Sequence, residues 1–262
     1  MRARLALALC LALALAAPAR AQPPSGIVHP EDEPGTPLKE LGAELYAGNC
    51  ASCHGIDGSG ADPNAPIQGA GDIKGLGPSL QGVGAMAADF YLRTGFMPLG
   101  DPHDQPYRTT VQFSEREIQA LVAYVASLKG GPGIPAPAPE RGNVSQGLQL
   151  FTEHCAGCHQ AVAEGGFVTG ARVPPIKEDT PVQIAEAVRI GPYTMPRFSQ
   201  RAISDAELNS IIAYVQASKK PADRGGWGIG HLGPVPEGLV TWLVAAVALV
   251  LTCALIGERM RA

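Results

Sequence analysis

Two pentapeptides concentrate the reactive side chains of this sequence: Cys50-Ala51-Ser52-Cys53-His54 and Cys155-Ala156-Gly157-Cys158-His159. Both are C-x-x-C-H boxes, the attachment signature of a c-type haem. The two thiols form thioether bonds to one porphyrin, and the adjacent histidine reaches the iron from one face. On a helical turn, positions i and i+3 share a side and i+4 sits beside them. Two boxes predict two covalently bound haem c groups and a role in electron transfer. Other chemistries fit less well. A zinc ion needs four ligands, which one box does not hold. A C-x-x-C redox dithiol sits in a βαβ pattern, which is absent here. A structural disulfide does not need a histidine after its second cysteine, twice.

A haem iron held by one histidine takes a second axial ligand. The sequence offers Met97 in Phe96-Met97-Pro98 and Met195 in Thr194-Met195-Pro196. Each follows a short helix-like segment and a glycine, and precedes a proline that stiffens the loop. A thioether opposite histidine favours ferrous iron and raises the potential. Of the five methionines, Met1 and Met260 lie near the ends, and Met86 lacks the Met-Pro context. The expected axial pairs are therefore His54 with Met97 and His159 with Met195. Pro78 follows the first box, where its carbonyl can accept from the Nδ1–H of His54 and fix the ring. Pro174 is placed for the same service to His159, with Pro175 beside it as the alternative. His29, His103, His154 and His231 are not expected as ligands. No acid–base pair, Ser/His arrangement or phosphate loop is evident, so no catalytic residue is assigned.

The elements that position these residues occur twice. Gly42-x-x-Leu45-Tyr46-x-x-x-Cys50 matches Gly147-x-x-Leu150-Phe151-x-x-x-Cys155. Glu117-Ile118-x-x-Leu121-Val122-x-Tyr124-Val125 matches Glu207-Leu208-x-x-Ile211-Ile212-x-Tyr214-Val215. The apolar spacing is that of amphipathic helices. Ser114 with Glu117 and Ser204 with Glu207 read as capping boxes. With 32 Gly and 24 Pro among 262 residues, the helices must be short and the loops long. A porphyrin compensates by supplying much of the apolar core.

The ends set the compartment. Arg2 and Arg4, the apolar stretch Leu5 to Ala17, and Ala19-Arg20-Ala21 form a secretory signal over residues 1–21, with a retained N-terminal anchor as the alternative. Gly238 to Gly257 is a run of 20 uncharged residues, enough to cross a bilayer core of ~30 Å. Glu258, Arg259 and Arg261 follow, and the basic tail predicts a cytoplasmic C-terminus. The boxes then lie outside the cell membrane. The formal net charge is −4, and no basic stripe points to nucleic acid.

The expected layout is a signal peptide (1–21), a disordered linker (22–37), a first domain (38–130) and a Pro/Gly hinge (131–140). A second domain (141–224), a Gly-rich strap (225–237), a transmembrane helix (238–257) and a cytoplasmic tail (258–262) follow.

Each half resembles a class I cytochrome c domain in its C-x-x-C-H box, downstream proline, Met-Pro loop and final helix with its tyrosine. Two such halves, the segment Gly233-Pro234-Val235-Pro236-Glu237-Gly238 and one C-terminal span resemble the dihaem cytochrome c subunit of the actinobacterial cytochrome bcc complex. That resemblance implies an all-α fold of two tandem class I cytochrome c domains plus one C-terminal transmembrane helix. It also implies a subunit of a quinol–cytochrome c reductase, with cytochrome b and Rieske iron–sulfur subunits as partners. Electrons would pass from the Rieske protein to the copper centre of an aa3-type oxidase. The readings that compete with it are an anchored dihaem shuttle, a cytochrome subunit of a periplasmic dehydrogenase or another oxidase, and a dihaem peroxidase. The last needs an open iron site, which the presence of both Met97 and Met195 opposes.

Overall fold

The computed structural model describes residues 26–60, 77–100, 106–219 and 234–260. The expected signal peptide, His103, His231 and most of the strap lie outside them. The chain divides into two units, residues 1–219 and 220–262.

In the first unit one helical plan appears twice. Helix α1 (Leu38–Asn49) runs into the one-turn helix α2 (Ala51–His54); α3 (Gly84–Arg93) and α4 (Glu115–Ser127) complete the first half. The second half repeats this with α5 (Val144–His154), the one-turn α6 (Ala156–His159), α7 (Pro181–Ile190) and α8 (Asp205–Ser218). The apolar stripe of α1 buries Leu41, Leu45 and Tyr46 against Ile118, Leu121, Val122 and Val125 of α4. Phe151 of α5 packs in the same manner with Leu208, Ile211, Ile212 and Val215 of α8.

Both helix pairs cross at a glycine. A Cβ on Gly42 would sit 2.0 Å from the Ala120 carbonyl oxygen, and one on Gly147 would sit 1.9 Å from that of Ser210. No side chain fits at either crossing. Beside each crossing an aromatic pair tilts together, Tyr46 with Tyr124 at 5.0 Å between ring centroids and Phe151 with Tyr214 at 5.3 Å.

The capping boxes form as the sequence predicts. Ser114 accepts from the Glu117 amide while its own amide donates to the Glu117 carboxylate, and Ser204 and Glu207 do the same. Truncating either serine to alanine is expected to cost ~1 kcal/mol. Denaturant titration of S114A and S204A measures this, and no change in midpoint would contradict it.

Several segments differ from expectation. Residues Gly166–Val168 (β1) and Ala171–Val173 (β2) form a two-stranded antiparallel hairpin inside the otherwise all-α plan, pairing Gly166 with Val173 and Val168 with Ala171. Gly170 at φ +82° makes the turn, and Phe167, Val168 and Val173 favour extended backbone. From Gly26 onward the linker is tied down rather than disordered. Val28 N–H donates to Asn49 Oδ1 at 2.7 Å, and Asn49 Nδ2 returns a bond to the Val28 carbonyl at 2.8 Å. The Asn49 amide thus satisfies an extended backbone as a strand neighbour would. His29 lies 2.7 Å from Glu117, and Arg116 pairs with Asp32.

The Pro/Gly hinge is also held at both ends. Met86 N–H donates to the Pro132 carbonyl at 3.1 Å, and Ala138 N–H donates to Asn209 Oδ1 at 2.8 Å. A short 3-10 turn, Pro139–Arg141, leads into α5.

The second unit contains α9 (Pro234–Arg259). The helix starts four residues earlier than the expected span, inside the strap. Proline at the first helical position explains the start, because its missing N–H has no intrahelical partner there anyway. Gly238–Arg259, 22 residues containing an 18-residue window of mean hydropathy 2.7, is long and apolar enough to cross a membrane.

Candidate functional site

Each box begins where a helix ends. Cys50 closes α1 with φ −121°, ψ −34°, and Cys155 closes α5 with φ −122°, ψ −38°. Both amides donate to the aromatic four residues back, Tyr46 or Phe151, at 2.8 Å. The amides of His54 and His159 return to the Cys50 and Cys155 carbonyls at 2.9 Å. The two boxes therefore have the same backbone, and each one-turn helix sets its cysteines at i and i+3 with the histidine next in line.

The histidines are oriented from behind. His54 Nδ1 lies 2.8 Å from the Pro78 carbonyl oxygen, and His159 Nδ1 lies 3.2 Å from that of Pro174. A carbonyl only accepts, so each Nδ1 carries the hydrogen and each Nε2 keeps a bare lone pair. Of the two candidate prolines in the second half, Pro174 makes the contact. Gly77 is the reason the backbone passes so close to the first box. A Cβ there would lie 2.7 Å from both His54 Nδ1 and the Cys53 carbonyl oxygen. Burial pushes the pKa of His159 down, against the opposing pull of the Pro174 bond and of Asp179, and favours the neutral ring that ligates metal.

A continuous cavity of about 1310 Å³ runs through this unit, lined by His54, Met97, His159, Met195 and all four box cysteines. A pocket for one drug-sized ligand holds about 300–1,000 Å³, so this space is large even for a single bulky group. Its walls include Leu80, Phe90, Phe96 and Phe113 from the first half and Ile176, Ile184, Val188 and Phe198 from the second. Met86 is buried in the first half and is not among the lining residues. His154, not expected as a ligand, lies at the cavity wall with its ring edge-on to Phe198 at 6.0 Å between centroids.

The donor set suits a covalently held haem better than a thiolate-bound metal. Burial, then the neighbouring Cys53, pushes the Cys50 thiol up to about 12, and burial, then the neighbouring Cys158, pushes Cys155 up to about 11. Thiols held protonated are poor metal ligands, while a thioether needs no thiolate in the finished site. An apolar cavity with bare imidazole nitrogens and thioether sulfurs on its walls matches a porphyrin and its iron.

Sequence reasoning missed the polar seam between the halves. Arg93 on α3 pairs with Asp89 at 2.8 Å and with Glu115 on α4. Arg108 of the first half pairs with buried Asp179 of the second. Glu186 on α7 is fully buried near Asp89. The one available signal was the i, i+4 spacing of Asp89 and Arg93, which marks a helix-surface pair but does not reveal what it faces.

Comparison with known proteins agrees with this geometry. Residues 39–129 match the family model described as cytochrome c, and residues 142–215 match that of cytochrome c oxidase, cbb3-type, subunit III. The cytochrome bc1 complex cytochrome c subunit of Corynebacterium diphtheriae is 36% identical over 240 residues, covering 85% of this chain and 81% of the relative. The protein of the same name from Mycobacterium bovis is 36% identical over 245 residues, covering 90% and 83%. A cbb3-type cytochrome c oxidase subunit CcoP from Azospirillum is 29% identical over 195 residues, covering 66% and 60%. Cytochrome c domains carry covalently bound haem c, and this chain belongs to the family of cytochrome c subunits of the cytochrome bc1 complex.

Proposed function

We propose that this chain is the membrane-anchored dihaem electron carrier of a quinol-oxidising cytochrome bcc complex. It takes electrons from the Rieske iron–sulfur protein and delivers them to the copper centre of an aa3-type oxidase. The observation that carries this reading is the pair of boxes with the same backbone, opening onto one continuous cavity, in a chain of this family.

Cys50 and Cys53 would hold one haem and Cys155 and Cys158 the other. His54 Nε2 and Met97 Sδ would hold the first iron, and His159 Nε2 and Met195 Sδ the second. Each bound haem supplies reversible one-electron exchange at its iron. The chain's own residues set the conditions for that exchange. The Pro78 and Pro174 carbonyls fix the imidazole planes and raise their basicity. The methionine sulfurs favour the reduced state, and the aromatic and aliphatic walls exclude water. Helix α9 spans the cell membrane with its basic end in the cytoplasm, so both cytochrome domains face outward. Anchoring replaces diffusional encounter by a fixed effective concentration beside donor and acceptor.

A second reading is favoured by the match of residues 142–215 to a cbb3-type oxidase subunit: a dihaem subunit of a terminal oxidase. Purification of the tagged chain in mild detergent separates the two. Two covalent haems per chain, with a b-type cytochrome and a Rieske protein in the eluate, are expected. Haem–copper oxidase subunits without those two partners would move the assignment to the second reading.

A further inference from the structure

The two halves meet along α3 and α7, and this seam holds a carboxyl that electron transfer as described does not use. Glu186 is 0% exposed, and neither of its carboxyl oxygens accepts a hydrogen bond from any described residue. Its neighbour across the seam is Asp89, itself 4% exposed and bonded to Arg93 Nε at 2.8 Å. Arg93 turns its remaining nitrogens to Glu115. Two ionised carboxylates placed together would be two acceptors with no donor between them, and their like charges would repel in a dry seam. One proton between them converts that repulsion into a hydrogen bond. Asp89 is already fixed as an acceptor by Arg93, so the proton belongs on Glu186.

We propose that Glu186 carries a proton that it donates to Asp89, and that this carboxyl pair is the pin positioning the two halves, and the cavity walls each contributes, against one another. The placement supports that role. Phe90 and Tyr91 beside Asp89, and Ala187 and Val188 beside Glu186, line the cavity, while Asp89 and Glu186 themselves do not.

The charged groups facing Glu186 are Asp89 and Arg93 from α3, with Glu115 of α4 behind Arg93. On α7 itself, Arg189 is directed to Asp205 and to the Phe198 and Ile203 carbonyls. The buried residues of α8 are Leu208, Ser210, Ile211, Ile212 and Val215, none of them charged. Burial first, then Asp89, pushes Glu186 up to about 8. A carboxyl freed from the seam titrates near ~4.3. The docked state therefore binds the extra proton between these two values. Docking is strongest below the lower value, weakens as pH rises between them, and levels off above about 8.

The test uses the full, haem-loaded chain in mild detergent. Amide protection in α3 and α7 is followed from pH 5 to 9 by hydrogen exchange, corrected for intrinsic rates. The native chain is expected to lose protection by about tenfold per pH unit across the middle of that range. E186Q, which keeps a donor for Asp89 but cannot ionise, should be flat with pH and retain protection at pH 9. A flat native profile, or an E186Q profile as steep as the native one, overturns the proposal. If E186Q does not fold, the infrared carbonyl band of a protonated carboxyl decides it in the native chain. That band should be present at pH 6 and vanish above pH 8, and its absence at pH 6 overturns the proposal. The exchange readout reports docking and the infrared band the proton itself; neither depends on electron flow, so both stand apart from any failure of the electron-transfer reading.

Discussion

With Cys155 and Cys158 both changed to serine, the full chain is expected to retain half of its covalently bound haem; with all four box cysteines changed, none. A serine hydroxyl forms no thioether, so attachment at the altered box is lost outright. The first box should be unaffected, because it rests on its own core of Leu41, Leu45, Tyr46 and Leu121, while the second box rests on Phe151, Ile211 and Val215. Haem stain on a denaturing gel, normalised to protein, gives the ratio. Full stain in the C155S/C158S chain would show that the second box is not an attachment site. No stain in that chain would show that the halves do not load separately. The reciprocal C50S/C53S chain should give the mirror result.

Gly147→Ala should destabilise the second half by about 3 kcal/mol or more, the upper part of the range for forced overpacking. The added methyl would stand 1.9 Å from a backbone oxygen of α8, and backbone cannot rotate aside as a side chain can. For a domain of this size that corresponds to a fall of about 12–24 °C in melting midpoint. Gly42→Ala should do the same to the first half, where the oxygen is that of Ala120 at 2.0 Å. Gly133→Ala is the control, since a Cβ there meets nothing within 4 Å. Thermal unfolding of the three chains settles the matter. An unchanged midpoint for G147A would mean that the helices can part without cost.

Much of this molecule was legible in its residues because the signals were local. A C-x-x-C-H box, a serine three residues before a glutamate, and an apolar stripe each depend on neighbours within one or two helical turns. Gly42 and Gly147 were visible as repeated positions, yet their reason was not, since the oxygens they make room for belong to helices more than 60 residues away. The choice of Pro174 over Pro175 hung on which carbonyl points at His159, a matter of backbone direction. The clasp between Val28 and Asn49 was hidden because a Pro-rich segment looks alike whether it is loose or pinned. Glu186 was hidden most thoroughly. Its apolar neighbours on α7 face one half, and the acid that explains it lies on α3 of the other, 97 positions earlier in the chain.

The pinned connector between the halves bears on kinetics. A Pro/Gly stretch in solution would sample many end-to-end lengths. Here Pro132 is bonded to Met86 in one half and Ala138 to Asn209 in the other, so only the few residues between them span the gap. The segment therefore acts as a ruler more than as a tether. An electron passing between groups held in the two halves meets one separation instead of a distribution of them. Its transit should follow a single exponential in every molecule of the population, and cutting the ruler should spread that one rate into many.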